Sequence, residues 1–192
     1  MIKKFSAHTI ETAPDASKNM LESVKEGFGG MIPNLERTMA TAPALLKGYA
    51  SLWDLFKETS LTEIEQQVVY QTANFENECN YCVPWHTFLS EKTQMNSHDV
   101  QALRKGGKLS DPKLEALRLF TQALIRTKGK ISQADLDQFF EAEYNQQQAL
   151  EVILGLAVKT MSHYTNSIAG TALDELVKKY KWEKPTIAAG KT

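Results

Sequence analysis

Along most of the chain apolar residues recur every third or fourth position, and no stretch alternates apolar and polar between hairpin turns, so the pattern predicts an all-α protein. Met20, Leu21, Val24 and Phe28 make the inner stripe of a first helix, capped by Asp15 and stopped by Gly29 and Gly30. A turn at Pro33 leads to a short helix around Leu35 and Met39. Pro43 then stands as a first helical residue before Leu45, Leu46, Tyr49, Leu52, Trp53 and Phe56, a stripe that faces a core. Thr62, with Glu65 three residues on, forms a capping box, and Ile64, Val68, Val69 and Thr72 make the inner face of the helix it opens.

Beyond residue 90 the pattern continues. Ser97 caps a short helix that ends at Gly106 and Gly107. Asp111 and Pro112 start another, carrying Leu114, Leu117, Phe120, Leu124 and Ile125 and ended by Gly129. Ser132 with Asp135 opens the helix of Leu136, Phe139 and Phe140. A long helix from about Gln146 to Ile168 turns Leu150, Ile153, Leu154, Ala157 and Met161 inward, and a last helix, Leu173 to Tyr180, precedes the frayed tail KPTIAAGKT. With no repeat, low-complexity segment or linker, residues 1–192 read as a single domain with a core from about 15 to 180.

A length of 192 residues with 42% hydrophobic and 23% charged positions suits one domain with a substantial core. The formal net charge is -1, from 22 basic and 23 acidic residues without long runs, which removes nucleic acid and anionic membranes as expected partners. MIKKFSAHTIETAP turns polar before any apolar signal region forms. Leu150 to Val158, broken by Glu151 and Gly155, falls far short of the roughly 20 residues that span a bilayer, so the expectation is a soluble, cytoplasmic protein.

The chemistry concentrates in ENECNYCVPWH, which holds both cysteines, Cys79 and Cys82, with His86 four residues further on. In a reducing cytosol a close pair reads as catalytic or metal-binding rather than as a structural staple. On a helix, positions three and four apart share a face. The reactive species is the thiolate, and a free cysteine with a pKa near about 8.5 needs a positive environment to form it at neutral pH. A helix N-terminus and His86 both supply one. Pro84 confines the helix start to between Asn80 and Val83. With Asn80 as N-cap, Cys82 lies in the first turn; with Pro84 as first helical residue, Cys82 precedes the helix. A structural zinc site needs four ligands, yet His8, His98 and His163 are scattered and no second pair of cysteines exists, so no metal or cofactor is expected. A redox dithiol and two inert core thiols both stay open on this reading.

ECNYCVPWH, entered from LTEIEQQVVYQTANFEN, resembles the alkyl hydroperoxidase D-like proteins of the carboxymuconolactone decarboxylase superfamily. GGMIPNLERTMATAPALLKGYASLWDLF resembles that family's entry, and LEVILGLAVKTMSHYTNSIAGTALDE its closing helix and turn. The resemblance implies a single-domain helical bundle with the CxxC at the N-terminus of a central helix, homo-oligomers (trimers or hexamers), and a peroxidase or disulfide-reductase activity. It casts Cys82 as the thiolate that attacks peroxide, Cys79 as the resolving thiol that closes a disulfide, and His86 as the proton-relay member. A thiol or dithiol reductant protein would then be the partner. The family's relay glutamate, twelve residues before the first cysteine, is replaced by Gln67, an amide that cannot exchange a proton as a carboxylate does. Glu65, Glu76 or Glu78 would have to substitute, or the relay would shorten to histidine and water. If turnover is lost with the carboxylate, a redox-sensing or interaction module with a reversible disulfide is the alternative. Tyr81, Trp85 and Phe88 read as core in preference to the lining of an apolar pocket for an organic peroxide, and His163 and Asn166 as capping or solvent-facing residues on the long helix in preference to ones that approach the site.

Overall fold

The computed structural model describes residues 5–185, and all its regular elements are helical. The chain forms α1 (Asp15–Gly27), α2 (Asn34–Met39), α3 (Pro43–Lys57), α4 (Glu63–Glu76), α5 (Cys82–Lys92), α6 (Ser97–Lys105), α7 (Pro112–Thr127), α8 (Gln133–Glu141) and α9 (Gln146–Ala169), closed by a 3₁₀ turn, Glu175–Tyr180. The expected last helix is therefore 3₁₀. The tail beyond residue 185 lies outside the described residues.

Local chemistry sets most boundaries. The Thr62 hydroxyl accepts from the Glu65 amide while the Glu65 carboxylate accepts from the Thr62 amide, the reciprocal cap foreseen at the start of α4. Asp111 caps α7 and Ser132 caps α8 through side-chain oxygens. Two caps shift by one residue: Pro14 precedes α1, which begins with Asp15, and Asn96 rather than Ser97 caps α6.

α4 is the axis of the bundle, packing on α3, α5, α6, α7 and α9, and every residue from Glu65 to Phe75 is buried. The expected one-sided apolar face is thus corrected to a fully enclosed helix. Its buried amides are bonded to the next helix: Gln71 Nε2 donates to the Val83 carbonyl and the Thr87 hydroxyl, and Asn74 Nδ2 donates to the Cys82 carbonyl. These bonds tie α4 to the first turns of α5.

The inner face of α9 also differs from expectation. Val152, Gly155, Val158, Lys159, Ser162, Thr165 and Asn166 point inward, whereas Leu150 and Ile153 are 68% and 51% exposed. At Gly155 the inner face must be small because α9 comes very close to its neighbours there. A Cβ on Gly155 would lie 2.7 Å from the Phe56 ring and 2.9 Å from a Val69 methyl, so a larger residue there would hold α9 off α3 and α4.

Candidate active site

The site is built where α4 ends and α5 begins. α4 closes in a Schellman turn: Glu78 takes a left-handed conformation (φ 55°), its amide donates to the Phe75 carbonyl, and the Cys79 amide donates to the Asn74 carbonyl. The turn sends the chain straight back, so Cys79 and Cys82 meet as a disulfide. Tyr81 occupies the N-cap position and Cys82 is the first residue of α5, so Asn80, expected as the cap, lies one residue outside. Pro84 falls in the first turn, where its missing N–H costs nothing. The Cys82 amide donates to Cys79 Sγ at 3.1 Å, which aims a helix-terminal N–H at that sulfur.

Asp174, in the turn after α9, anchors this start. One oxygen accepts from the Tyr81 hydroxyl (2.5 Å) and from Trp85 Nε1 (2.9 Å); the other accepts from the Asn34 amide (3.0 Å). α2, α5 and the closing segment are thereby pinned at one buried carboxylate.

Cys82 and His86 lie one turn apart and line the same small cavity, of about 30 Å³, together with Glu36, Lys159 and an aromatic wall of Phe28, Tyr49, Trp53, Tyr81 and Trp85. Cys82 Sγ is within 3.5 Å of Asn166 Nδ2 and 3.9 Å of the Ser162 hydroxyl, both from α9. Asn166, read from sequence as a cap or surface residue, therefore reaches the sulfur. Cys79 instead lines a wider pocket of about 370 Å³ with Glu78, Asn80, His163, Asn166 and Thr171. The two cysteines thus line different pockets, with Asn166 touching Cys82 Sγ from the second.

Neither ring nitrogen of His86 bonds a sulfur. Nδ1 lies 2.9 Å from Gln67 Oε1, which can only accept, so Nδ1 carries the proton and Nε2 turns its lone pair to Lys159 Nζ at 2.8 Å. Burial first, and the neighbouring Lys159 second, hold His86 well below the usual histidine pKa, so it is a neutral imidazole. Lys159 lies above the Tyr70 ring, and burial lowers it to about 7. Burial raises Glu36 to about 8, and its Oε2 has no hydrogen-bond partner. The Tyr70 hydroxyl, Asn166 Oδ1 and His163 Nδ1 are also buried without partners.

Gln67 thus sits where the relay position was expected, on His86. The three glutamates considered as substitutes lie elsewhere: Glu65 is spent on the α4 cap, Glu76 is paired with Arg126 and Gln122, and exposed Glu78 with Lys184. The carboxyl group in the cavity is Glu36, from a helix remote in sequence. Sequence reasoning missed Glu36 and Lys159 because each looks like one more charged position on a helix. The signal available was Lys159 falling between Val158 and Ser162 on the helix face opposite Leu150, Ile153 and Ile168. Among the described residues no three His, Cys, Asp or Glu side chains gather as a metal site. No described helix is long and apolar enough to cross a membrane.

Comparison with solved structures places this architecture among known folds. The alkylhydroperoxidase AhpD core of a peroxidase-related protein from Ralstonia eutropha JMP134 superposes with a TM-score of 0.80 at 17% identity, over 92% of this chain and 95% of that one. A peroxidase-related protein from Silicibacter sp. TM1040 gives 0.75 at 16% identity, over 91% and 95%. The debrominase Bmp8, in complex with 2,3,4-tribromopyrrole, gives 0.75 at 14% identity, over 93% and 96%. No protein-family model and no curated protein matches the chain. The chain therefore has the alkylhydroperoxidase D-type all-α fold.

Proposed function

We propose that this protein is a thiol peroxidase that reduces hydrogen peroxide or organic hydroperoxides through the Cys79 and Cys82 dithiol. Because the same fold also serves a debrominase, the reading rests on the site rather than on the likeness. The observation that carries it is the placement of the pair: Cys82 lines a small cavity together with His86, Glu36 and Lys159, while Cys79 lines a wider neighbouring pocket. Peroxide enters on the Cys82 side, where the thiolate takes one oxygen and becomes a sulfenic acid; Cys79 then displaces water to form the disulfide. A thiol or dithiol reductant protein attacks from the Cys79 side and restores the pair. The cavity on the Cys82 side has room for water-sized molecules, enough for hydrogen peroxide.

With excess dithiol the reduced protein should consume many equivalents of peroxide. Without reductant it should consume one equivalent and stop. One equivalent consumed and no sustained turnover with any dithiol would favour the reversible-switch reading, and no consumption would reject both. The Gln67 amide accepts from His86, and a carboxylate there would hold the imidazole more firmly and raise its basicity. Gln67→Glu should therefore raise the initial rate of peroxide loss by about 10-fold, below the usual span of general acid–base effects. An unchanged rate would remove this position from the proton path.

Assembly with further copies of the chain belongs to the same proposal. Leu150, Ile153, Tyr164 and Ile168 are exposed and fall on one stripe of α9, opposite the face that packs on the bundle. Sedimentation velocity should find an assembled species that Ile153→Glu reduces to monomer; a monomeric wild type would overturn the assignment.

A further inference from the structure

We propose that Lys159 is the counter-ion of the Cys82 thiolate: in the disulfide form it rests as a neutral amine on His86, and reduction of the disulfide hands it a proton. The inference rests on the dithiol chemistry proposed above but not on peroxide being the oxidant.

Lys159 is 2% exposed, and among the described residues no carboxylate lies within 4.0 Å of its amine. A buried ammonium without an anion is costly, whereas the same amine is tolerated when neutral. Its one hydrogen-bond partner, His86 Nε2, offers a lone pair and no negative charge.

The groups around it supply no anion either. From α2, Glu36 is coupled to Lys159 through space but makes no ion pair with it, and burial outweighs that attraction and holds its carboxyl up to about 8. From α3 and α4, Tyr49 and Tyr70 are held above the usual phenol range by burial, and Tyr81 beside Cys82 is raised likewise. From α5, His86 is neutral, and on α9 itself His163 is lowered by burial. Asp174 stands behind Tyr81 and Trp85, its oxygens taken by three donors. The one negative charge the cavity gains during a redox cycle is the thiolate of Cys82, which lines the same cavity as Lys159. The same face of α9 presents Lys159, Ser162 and Asn166 in successive turns, and the latter two already contact Cys82 Sγ.

The bookkeeping of protons closes. Reduction by a dithiol converts the disulfide, two electrons and two protons into Cys79 thiol, Cys82 thiolate and Lys159 ammonium, the dithiol becoming a disulfide. Attack of the thiolate on a peroxide gives the sulfenic acid and an alkoxide or hydroxide, which takes the Lys159 proton. Cys79 thiol then condenses with the sulfenic acid, releasing water, and Lys159 is again neutral.

The ionisation of Cys82 is read from the pH dependence of iodoacetamide alkylation in the Cys79→Ser background. With Lys159 present, Cys82 should ionise well below the ordinary thiol value of about 8.5; Lys159→Met should raise its midpoint by about 1 to 2 pH units, and Lys159→Arg should keep it low. A purely structural lysine would leave the midpoint unchanged in the Met variant, and that result overturns the proposal. A second measurement needs no substitution at Lys159: near pH 8, reduction of the wild-type disulfide should take two protons into the protein although Cys82 is by then a thiolate. Uptake of one proton overturns the assignment. A shifted midpoint in a protein that never turns over peroxide would support this inference and end the peroxidase reading instead.

Discussion

Cys82→Ser should abolish peroxide consumption, with a rate loss on the order of 10³-fold or more, because a serine hydroxyl in this cavity lacks both the ionisation and the polarisable nucleophilicity of a thiolate. The serine fits the space, and Asn166 and Ser162 can bond its hydroxyl as they do the sulfur, so helix content and melting should change little apart from the lost cross-link. Cys79→Ser should behave differently. Cys82 would still react once, but with no resolving thiol the sulfenic acid would persist and proceed to irreversible oxidation under excess peroxide. Peroxide assays paired with mass measurement separate the two variants. Equal, slow consumption by wild type and Cys82→Ser would remove the assigned role of Cys82.

The largest stability effect should come from Asp174→Ala. The substitution leaves the Tyr81 hydroxyl, Trp85 Nε1 and the Asn34 amide without their acceptor in a buried region. At about 1 to 3 kcal/mol for each stranded donor, with some relief from water entering the gap, a loss of roughly 3 to 5 kcal/mol is expected. That is a large part of the about 5 to 15 kcal/mol that holds an ordinary domain together, and it should lower the melting temperature by about 10 °C or more. Tyr81 and Trp85 flank Cys82 in sequence, so the loosened helix start should also slow the reaction of the dithiol. Thermal unfolding followed by circular dichroism checks the first effect. A shift of only a degree or two would show that other contacts pin the start of α5.

Much of this fold is legible in the sequence because its boundaries are local chemistry. Thr62 with Glu65, Asp111 before Pro112, and Ser132 with Asp135 each declare a helix start through bonds that span three residues or fewer, and the structure contains all three. What periodicity could not give was the choice between two candidate faces. On α9 the large apolar residues Leu150 and Ile153 suggested the inner side, yet Gly155, Ser162 and Thr165 occupy it, since close helix approach rewards small side chains over hydrophobic ones. The enclosed α4 failed the one-sided reading for a related reason: Gln67, Gln71 and Asn74 bond partners on α5 and Gln66 bonds the Leu61 carbonyl, and such partners cannot be read from a single helix.

The site divides along the same line. The CxxC pair, the histidine one turn later and the unusual Gln67 are all within 20 residues of one another, and their arrangement follows from one turn and two helix starts. Glu36 and Lys159 come from helices far away in the chain, and only folding brings them to one cavity. Their burial is also what gives them meaning: a surface Lys159 would be one more solvated charge, whereas burial lowers it to about 7.

The central claim is that Cys79 and Cys82 are a working dithiol, and one experiment addresses it directly. The protein is fully reduced, freed of reductant, exposed to one equivalent of hydrogen peroxide, quenched with an alkylating reagent and mapped by mass spectrometry. The account predicts that the peptide carrying both cysteines is two hydrogens lighter than its dithiol form and unalkylated, with the peroxide consumed. Both cysteines alkylated, with the peroxide still present, would contradict it.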